Sequence, residues 1–215
     1  MRQILRALTF PGRSIGSLGF DRIGLVLLAL AMLSLTSSSA ASAALVCSNT
    51  VRNCGCAITS SGVYTLAAAL ASSGAGDCLS IAAKNVVLNL NGFAITGPGS
   101  GSNGSGIHVK NASSVWIEGQ GAAALPPTIS GLKYGIENDG NYVLIENIKV
   151  AGNASAGVFF FKAGNSELVN FESSSNSGFG VWFRSGSNDQ VGNGLIQDNV
   201  LEHPIAMPMF QEINE

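Results

Sequence analysis

Two and four residues downstream of four glycines, the sequence places side chains able to do chemistry. His108 and Lys110 follow Gly106, Glu137 and Asp139 follow Gly135, Phe159 and Phe161 follow Gly157, and Trp182 and Arg184 follow Gly180. One imidazole, two carboxylates, two cations and three aromatic rings at one recurring offset make the mixture that sugar-binding surfaces use. Flat rings lie against apolar sugar faces, and charged groups fork hydrogen bonds to hydroxyls and carboxylates. These eight residues are the candidate glycan-binding set, with polysaccharide as the expected partner. A plainer arrangement uses the same offsets. His108 over Glu137 and Lys110 over Asp139 are then cross-strand pairs worth about 0.2–1 kcal/mol each, and the tail from Pro204 to Phe210, or a partner, covers Phe159 and Trp182. Lys149 and Glu172, 23 residues apart, read as one more surface ion pair.

Other chemistries find less support. Cys47, Cys54, Cys56 and Cys78 have the spacing C-x6-C-x-C-x21-C, which matches no usual zinc pattern, and neither histidine is near them in sequence. In an exported chain four cysteines read as two disulfides. A Cys54–Cys56 bridge would be strained by its tiny loop, so Cys78 is expected to pair with Cys54 or Cys56. The glycine-rich run from Gly97 to Gly106 lacks the lysine and following helix of a phosphate-binding loop and reads as a flexible corner. Calcium-binding nonapeptide repeats are missing. No catalytic residue, metal ligand or cofactor is assigned, and His203, just before Pro204, reads as incidental. The sequons at Asn103, Asn111 and Asn153 matter only in a host that glycosylates exported proteins.

A repeating element must hold the eight residues. The four glycines lie 29, 22 and 23 residues apart, and each is followed by an aliphatic residue and then alternation; Cys78-Leu79-Ser80-Ile81 fits 28 residues before Gly106. A strand at each step sends Leu79, Ile107, Ile136, Val158 and Val181 inward, then Ile81, Val109, Asn138, Phe160 and Phe183, and leaves the residues between them outside. A second apolar segment follows each strand, at Val86–Leu88, Val115–Ile117, Val143–Ile145, Leu168–Val169 and Val191. Insertions at Gly97–Ser105 and Gly119–Pro127 account for the longer steps. Asn147, Asn170 and Asn193 are 23 apart, as are Asn153, Asn176 and Asn199, and Asn165 and Asn188 share the interval. If each repeat is one coil, these amides stack and hydrogen-bond along the stack. Two or three short strands per repeat, joined by Gly/Ser/Asn corners, predict an all-β parallel β-helix of about five coils from Cys78 onward.

The ends carry different signals. Four arginines precede the apolar stretch Ile23–Leu35, and Ala41-Ser42-Ala43 follows, the order of a secretory signal peptide cleaved after Ala43. Thirteen apolar residues are too few for a bilayer-spanning helix of about 20, so no membrane span is expected after processing, and the protein is expected outside the cytoplasm. A retained anchor, a misassigned start codon or a lipoprotein at Cys47 are the alternatives. Residues 44–77 are expected to form an N-terminal cap stapled by the disulfides, with Thr65–Ser72 a short helix or a strand. Residues 78–200 form the β-helix, and 201–215 a tail or cap in which Met207-Pro208-Met209-Phe210 plugs the open end. A truncated gene with a sticky, oligomerising last coil is the other option there. The net charge of −2 leaves no basic footprint for nucleic acid.

The runs Ile58–Leu66, Gly76-Asp77-Cys78 and Asn85–Gly97 resemble the opening of secreted right-handed β-helix repeat proteins of the pectin-lyase-like superfamily. The resemblance covers roughly residues 54–200. It implies a right-handed helix, in line with the general crossover rule, and leaves activity open, because the fold hosts pectate lyases, polygalacturonases, alginate epimerases and copper-site accessory proteins. The Asn-Thr-Asp, Asp-Asp, Gly-His-Gly and Arg-Ile-Lys motifs of the polygalacturonases do not occur, nor does the Asp-Pro-His-Asp motif of the epimerases. Asp139 and Glu137 with Arg184 or Lys110 are the residues a lyase-like group would need. The small number of coils weighs toward a non-catalytic binder, with a structural or adhesion module and a minimal lyase, epimerase or hydrolase as alternatives.

Overall fold

The computed structural model describes residues 45–119 and 126–201, and all regular elements among them are β-strands. The expected signal peptide, part of the Gly119–Pro127 insertion, and the tail with His203 and the Met207–Phe210 plug lie outside the described residues. Among the described residues no helix is long and apolar enough to cross a membrane.

The chain winds through three rows of short strands. The first row is a seven-stranded parallel sheet: β1 (Leu45–Val46), β3 (Cys56–Ile58), β6 (Leu79–Ile81), β9 (Ser105–Val109), β12 (Tyr134–Asn138), β14 (Ala156–Phe161) and β16 (Phe179–Arg184). The second row holds β2 (Thr50–Val51), β4 (Gly62–Leu66), β7 (Val86–Asn89), β10 (Ser113–Glu118), β13 (Asn141–Ala151), β15 (Glu167–Ser174) and β17 (Gln190–Gln197). The third row starts with β5 (Leu70–Ala71), β8 (Ile95–Thr96) and β11 (Thr128–Ser130), and the far halves of β13, β15 and β17 complete it. Each strand pairs in parallel with its counterpart one coil away, and the register is the expected one: Leu79, Ile107, Ile136, Val158 and Val181 are successive partners.

Five passes of the first sheet run from Cys78 to Arg184, and two more precede them. The stapled segment 44–77 thus contributes β1–β5 to the same sheets, and Thr65–Ser72 contains strand instead of helix. Cys47 bonds Cys56 and Cys54 bonds Cys78, so Cys78 takes the first of its two expected partners. Each bridge links neighbouring passes at the end where the ladder has fewest partners.

The interior columns are buried as the alternation requires, with Phe160 and Phe183 stacked at 4.6 Å and Asn138 fully covered. Asn138 is satisfied there by Ser166 Oγ, at 3.2 Å, and by the Gly140 N–H, at 2.8 Å. The asparagine columns are corners. Asn147, Asn170 and Asn193 have φ of 56°, 49° and 51° where β13, β15 and β17 bend from second row to third. Asparagine tolerates this left-handed region because its short side chain can bond locally. Asn193 donates to Asn170 at 2.8 Å and Asn188 to Asn165 at 3.2 Å, both exposed. The third column is buried: Asn153 Nδ2 donates to Asn176 Oδ1 at 3.0 Å, and Asn176 Nδ2 to Asn199 Oδ1 at 2.8 Å. Asn153, the last of three sequons, is inaccessible in the folded chain, whereas Asn103 and Asn111 are exposed.

The marker glycines have a steric cause. A Cβ on Gly135 would lie 2.6 Å from the Gly157 carbonyl oxygen, one on Gly157 2.6 Å from that of Gly180, and both would run into buried side chains of the wall opposite. No side chain fits between coils there.

Candidate functional site

That inward-facing glycine interrupts the strand alternation. The residue before it, like the one two places after it, therefore faces outward on the first sheet. The outer columns are Asp77, Ser105, Tyr134, Ala156 and Phe179, then Ser80, His108, Glu137, Phe159 and Trp182, each following the coil axis. The first column was missed by sequence reasoning, although the glycine that creates it was the repeat marker.

On the N-terminal half of this face His108 sits among three carboxylates from the coils on either side of it, Asp77 from one and Glu137 and Asp139 from the other. Its Nδ1 is 2.9 Å from Asp77 Oδ2 and 3.7 Å from Glu137 Oε2, and its Nε2 is 3.3 Å from Asp139 Oδ2. Lys110 Nζ reaches Asp77 Oδ2 at 2.8 Å. The expected pairing of Lys110 with Asp139 is thus replaced: Asp77 stands one coil back and offers an acceptor there, while Asp139 faces the imidazole. Ser105 donates from Oγ to Glu137 Oε2 at 2.6 Å and from its N–H to Asp77 Oδ1 at 3.0 Å. Asp139 Oδ1 is buried without a hydrogen-bond partner among the described residues. Asp77 also borders a cavity of about 600 Å³ lined by Arg52, Asn53, Ser72 and Ser73.

Charge on these groups follows from the contacts. Burial pushes the Asp77 carboxyl up, but bonds from His108, Lys110 and the Ser105 N–H outweigh it and hold the group well below the usual carboxylate range. Burial pushes His108 down, and the hydrogen bond to Asp77 with the negative field of Glu137 and Asp77 overcomes it, so the imidazole titrates above its ordinary value of 6.5. The carboxylates around it thus favour the protonated form of a half-buried ring.

The C-terminal half is aromatic. Phe159 packs against Tyr134 at 4.8 Å, Phe161 at 5.8 Å and Trp182 at 4.4 Å, and Trp182 continues to Phe179 at 5.2 Å. Cations edge the stack: Lys133 lies over Tyr134 at 4.9 Å, Lys162 over Phe161 at 5.0 Å and Arg184 over Phe161 at 5.7 Å. Phe159 is only 4% exposed, closed in by the rings on either side, and so supports the surface more than it forms it. Trp182, Phe161 and Phe179 are half-buried and Arg184 is exposed. The structure therefore brings all eight expected residues onto one face, His108, Lys110, Glu137 and Asp139 in one cluster and Phe159, Phe161, Trp182 and Arg184 in the other. Lys149 and Glu172 form the expected pair, at 2.6 Å, on a different row of strands.

A comparison with curated proteins finds no match, and neither does one with solved structures. The family model described as a right handed beta helix region matches residues 73–204, most of the described coils. Parallel pairing throughout, stacked interior columns and that match agree, and the chain belongs to the right-handed β-helix family.

Proposed function

We propose that this is an exported protein that binds an extracellular or cell-envelope polysaccharide along the outer face of the seven-stranded sheet, without modifying it. The observation that carries the reading is the continuity of that face. From Asp77 to Trp182 it spans five passes, about 19 Å at roughly 4.8 Å per strand, with charged forks at one end and cation-edged rings at the other. A stripe of that length suits an oligosaccharide running along the coil axis. Half-buried Trp182, Phe161 and Phe179 offer ring surface to apolar sugar faces, while Arg184, Lys110 and Asp139 offer polar contacts to hydroxyls or carboxylates. Two disulfides and the arginine-led apolar leader Ile23–Leu35 favour export.

Glycan-array binding of the oxidised protein tests this. The wild type should retain a restricted set of polysaccharides, and Trp182→Ala should lose them while keeping the wild-type melting temperature within a few degrees. An array without signal, or Trp182→Ala binding as well as wild type, overturns it. One observation favours a second reading, a structural or adhesion module: the rings already stack on one another and the charges already pair. The empty array is its expected result.

A further inference from the structure

We infer that Asp77, His108 and Glu137 form a binding site for a divalent transition-metal ion, with Asp139 as the residue that orients the histidine. The inference stands whether or not the same face binds sugar.

The geometry is that of a three-ligand site. One ligand atom from each of the three residues lies within 4.8 Å of the other two. Donors about 2.0–2.2 Å from a shared zinc ion stand roughly 3–3.6 Å apart, and His108 Nδ1 is already 2.9 Å from Asp77 Oδ2 and 3.7 Å from Glu137 Oε2. His108 and Glu137 are direct partners on β9 and β12, and Asp77 stands two residues before β6, held there by the Ser105 N–H on its Oδ1 and by the Cys78 N–H on the Ser105 carbonyl, so backbone bonds set the spacing. The other imidazole nitrogen, Nε2, faces Asp139 Oδ2 at 3.3 Å. A carboxylate on the far nitrogen of a ligating histidine fixes its tautomer and ring orientation, which is the usual outer shell of a metal-bound imidazole. Nδ1 is then the nitrogen a metal takes, in exchange for the proton it shares with Asp77 in the metal-free chain. Ser105 Oγ holds Glu137 Oε2 in place at 2.6 Å.

Asp139 holds the ring through Oδ2 alone, since its Oδ1 has no hydrogen-bond partner among the described residues. A dication on Nδ1 polarises the ring and strengthens the Nε2–H bond to that carboxylate. One nitrogen and two carboxylate oxygens suit zinc and its neighbours better than calcium or magnesium, which take oxygen alone. Lys110 now lies against Asp77 Oδ2 at 2.8 Å; with its side chain 45% exposed on a flexible stem, it can swing into solvent when a dication takes its place.

Calorimetric titration of the oxidised full chain with Zn²⁺, after chelator treatment, tests the site. One zinc per chain should bind with a micromolar or tighter dissociation constant. His108→Ala should weaken it at least 100-fold, Asp139→Asn about 10–100-fold, and Lys110→Ala should tighten it several-fold by removing the competing ammonium. His203→Ala should leave it unchanged. Diethyl pyrocarbonate labelling of the wild type gives a readout that needs no variant to fold: His108 should be modified in chelator and protected by zinc. The absence of saturable binding up to 1 mM zinc, zinc-independent labelling of His108, or a Lys110→Ala loss as large as that of His108→Ala overturns the inference. The last result would mean that the ion pair, and not a metal, is what the cluster exists to make.

Discussion

Removing the side chain of Asn176 tests the stacked coil most directly, because two columns of asparagine with the same 23-residue period differ mainly in burial. Asn176 is the middle rung of the buried column. Its Oδ1 accepts from the Asn153 N–H and from Asn153 Nδ2, both at 3.0 Å, and its Nδ2 donates to Asn199 Oδ1 at 2.8 Å, Ser173 Oγ at 3.1 Å and the Val150 carbonyl at 3.4 Å. In Asn176→Ala, Asn199 Oδ1 keeps the backbone N–H of residue 176, at 3.0 Å. The two donors on Asn153 lose their acceptor in a place water does not reach, since Asn153 is fully buried. An unsatisfied buried donor costs about 1–3 kcal/mol; the Asn153 N–H is left wholly unpaired while Nδ2 keeps the Ile129 carbonyl at 3.3 Å, so the loss is roughly 2–4 kcal/mol, a large part of a typical domain's stability. Asn188→Ala removes one exposed bond of 3.2 Å to Asn165, for which about 0.5–1 kcal/mol is the ceiling.

Urea unfolding followed by circular dichroism measures both variants. Because a repeat fold can lose its terminal coils separately, hydrogen exchange at the Asn153 amide should accompany it. Asn176→Ala should lower the unfolding midpoint several times more than Asn188→Ala and speed exchange at Asn153 by 30-fold or more. Equal losses in the two variants, or an Asn176→Ala loss below about 1 kcal/mol with Asn153 still protected, would refute the reasoning: the period would then reflect corner geometry alone, with the amide bonds contributing nothing net.

Three further outcomes follow from the packing between coils. Burial raises the carboxyl of Asp189 above its ordinary value of 3.8 despite the hydrogen bond from the Ser166 N–H, at 2.9 Å. The folded state therefore holds that proton more tightly than the unfolded one, and stability falls as pH rises through this range; Asp189→Asn, which keeps the acceptor, should be at least as stable as wild type at pH 7 and lose that decline between pH 3 and 6 in urea titrations. Gly157→Ala places a Cβ 2.3 Å from Ser173 Oγ and 2.6 Å from the Gly180 oxygen, and should cost about 1–3 kcal/mol by thermal melting, whereas alanine at open Gly76, which has no atom within 4 Å of its Cβ, should cost well under 1. The Cys54–Cys78 bridge closes a 24-residue separation, for which chain entropy gives about 3.5 kcal/mol; Cys54→Ser with Cys78→Ser should lose about that amount, with faster exchange concentrated in β1–β5.

How far the sequence could carry this argument depended on which side of the strand a residue faces. Inside the helix, each position meets its own counterpart one coil away, so a repeated residue type reveals its contact. Ile107 lies on Ile136, Phe160 on Phe183 and Asn153 on Asn176, and all of these were legible as columns. Outside, a long side chain chooses among directly opposed and diagonal neighbours, and the periodicity does not rank them. Column arithmetic sets Lys110 beside Asp139, but the ammonium turns back to Asp77, which lies before the first complete repeat and so belonged to no visible column. The same limit hid the burial of Phe159. Its neighbours Tyr134 and Phe179 precede glycines, and their outward direction follows only once the glycine is known to face inward. The residue that made the repeat visible is thus also the one that reverses the alternation used to read it. Each marker glycine faces inward between coils where no side chain fits, and in doing so turns the preceding residue outward to join His108, Glu137, Phe159 and Trp182. A site on this face draws on both sides of every glycine. Any search for related sites in such a helix should read the residue before each marker glycine together with the two after it that alternate outward.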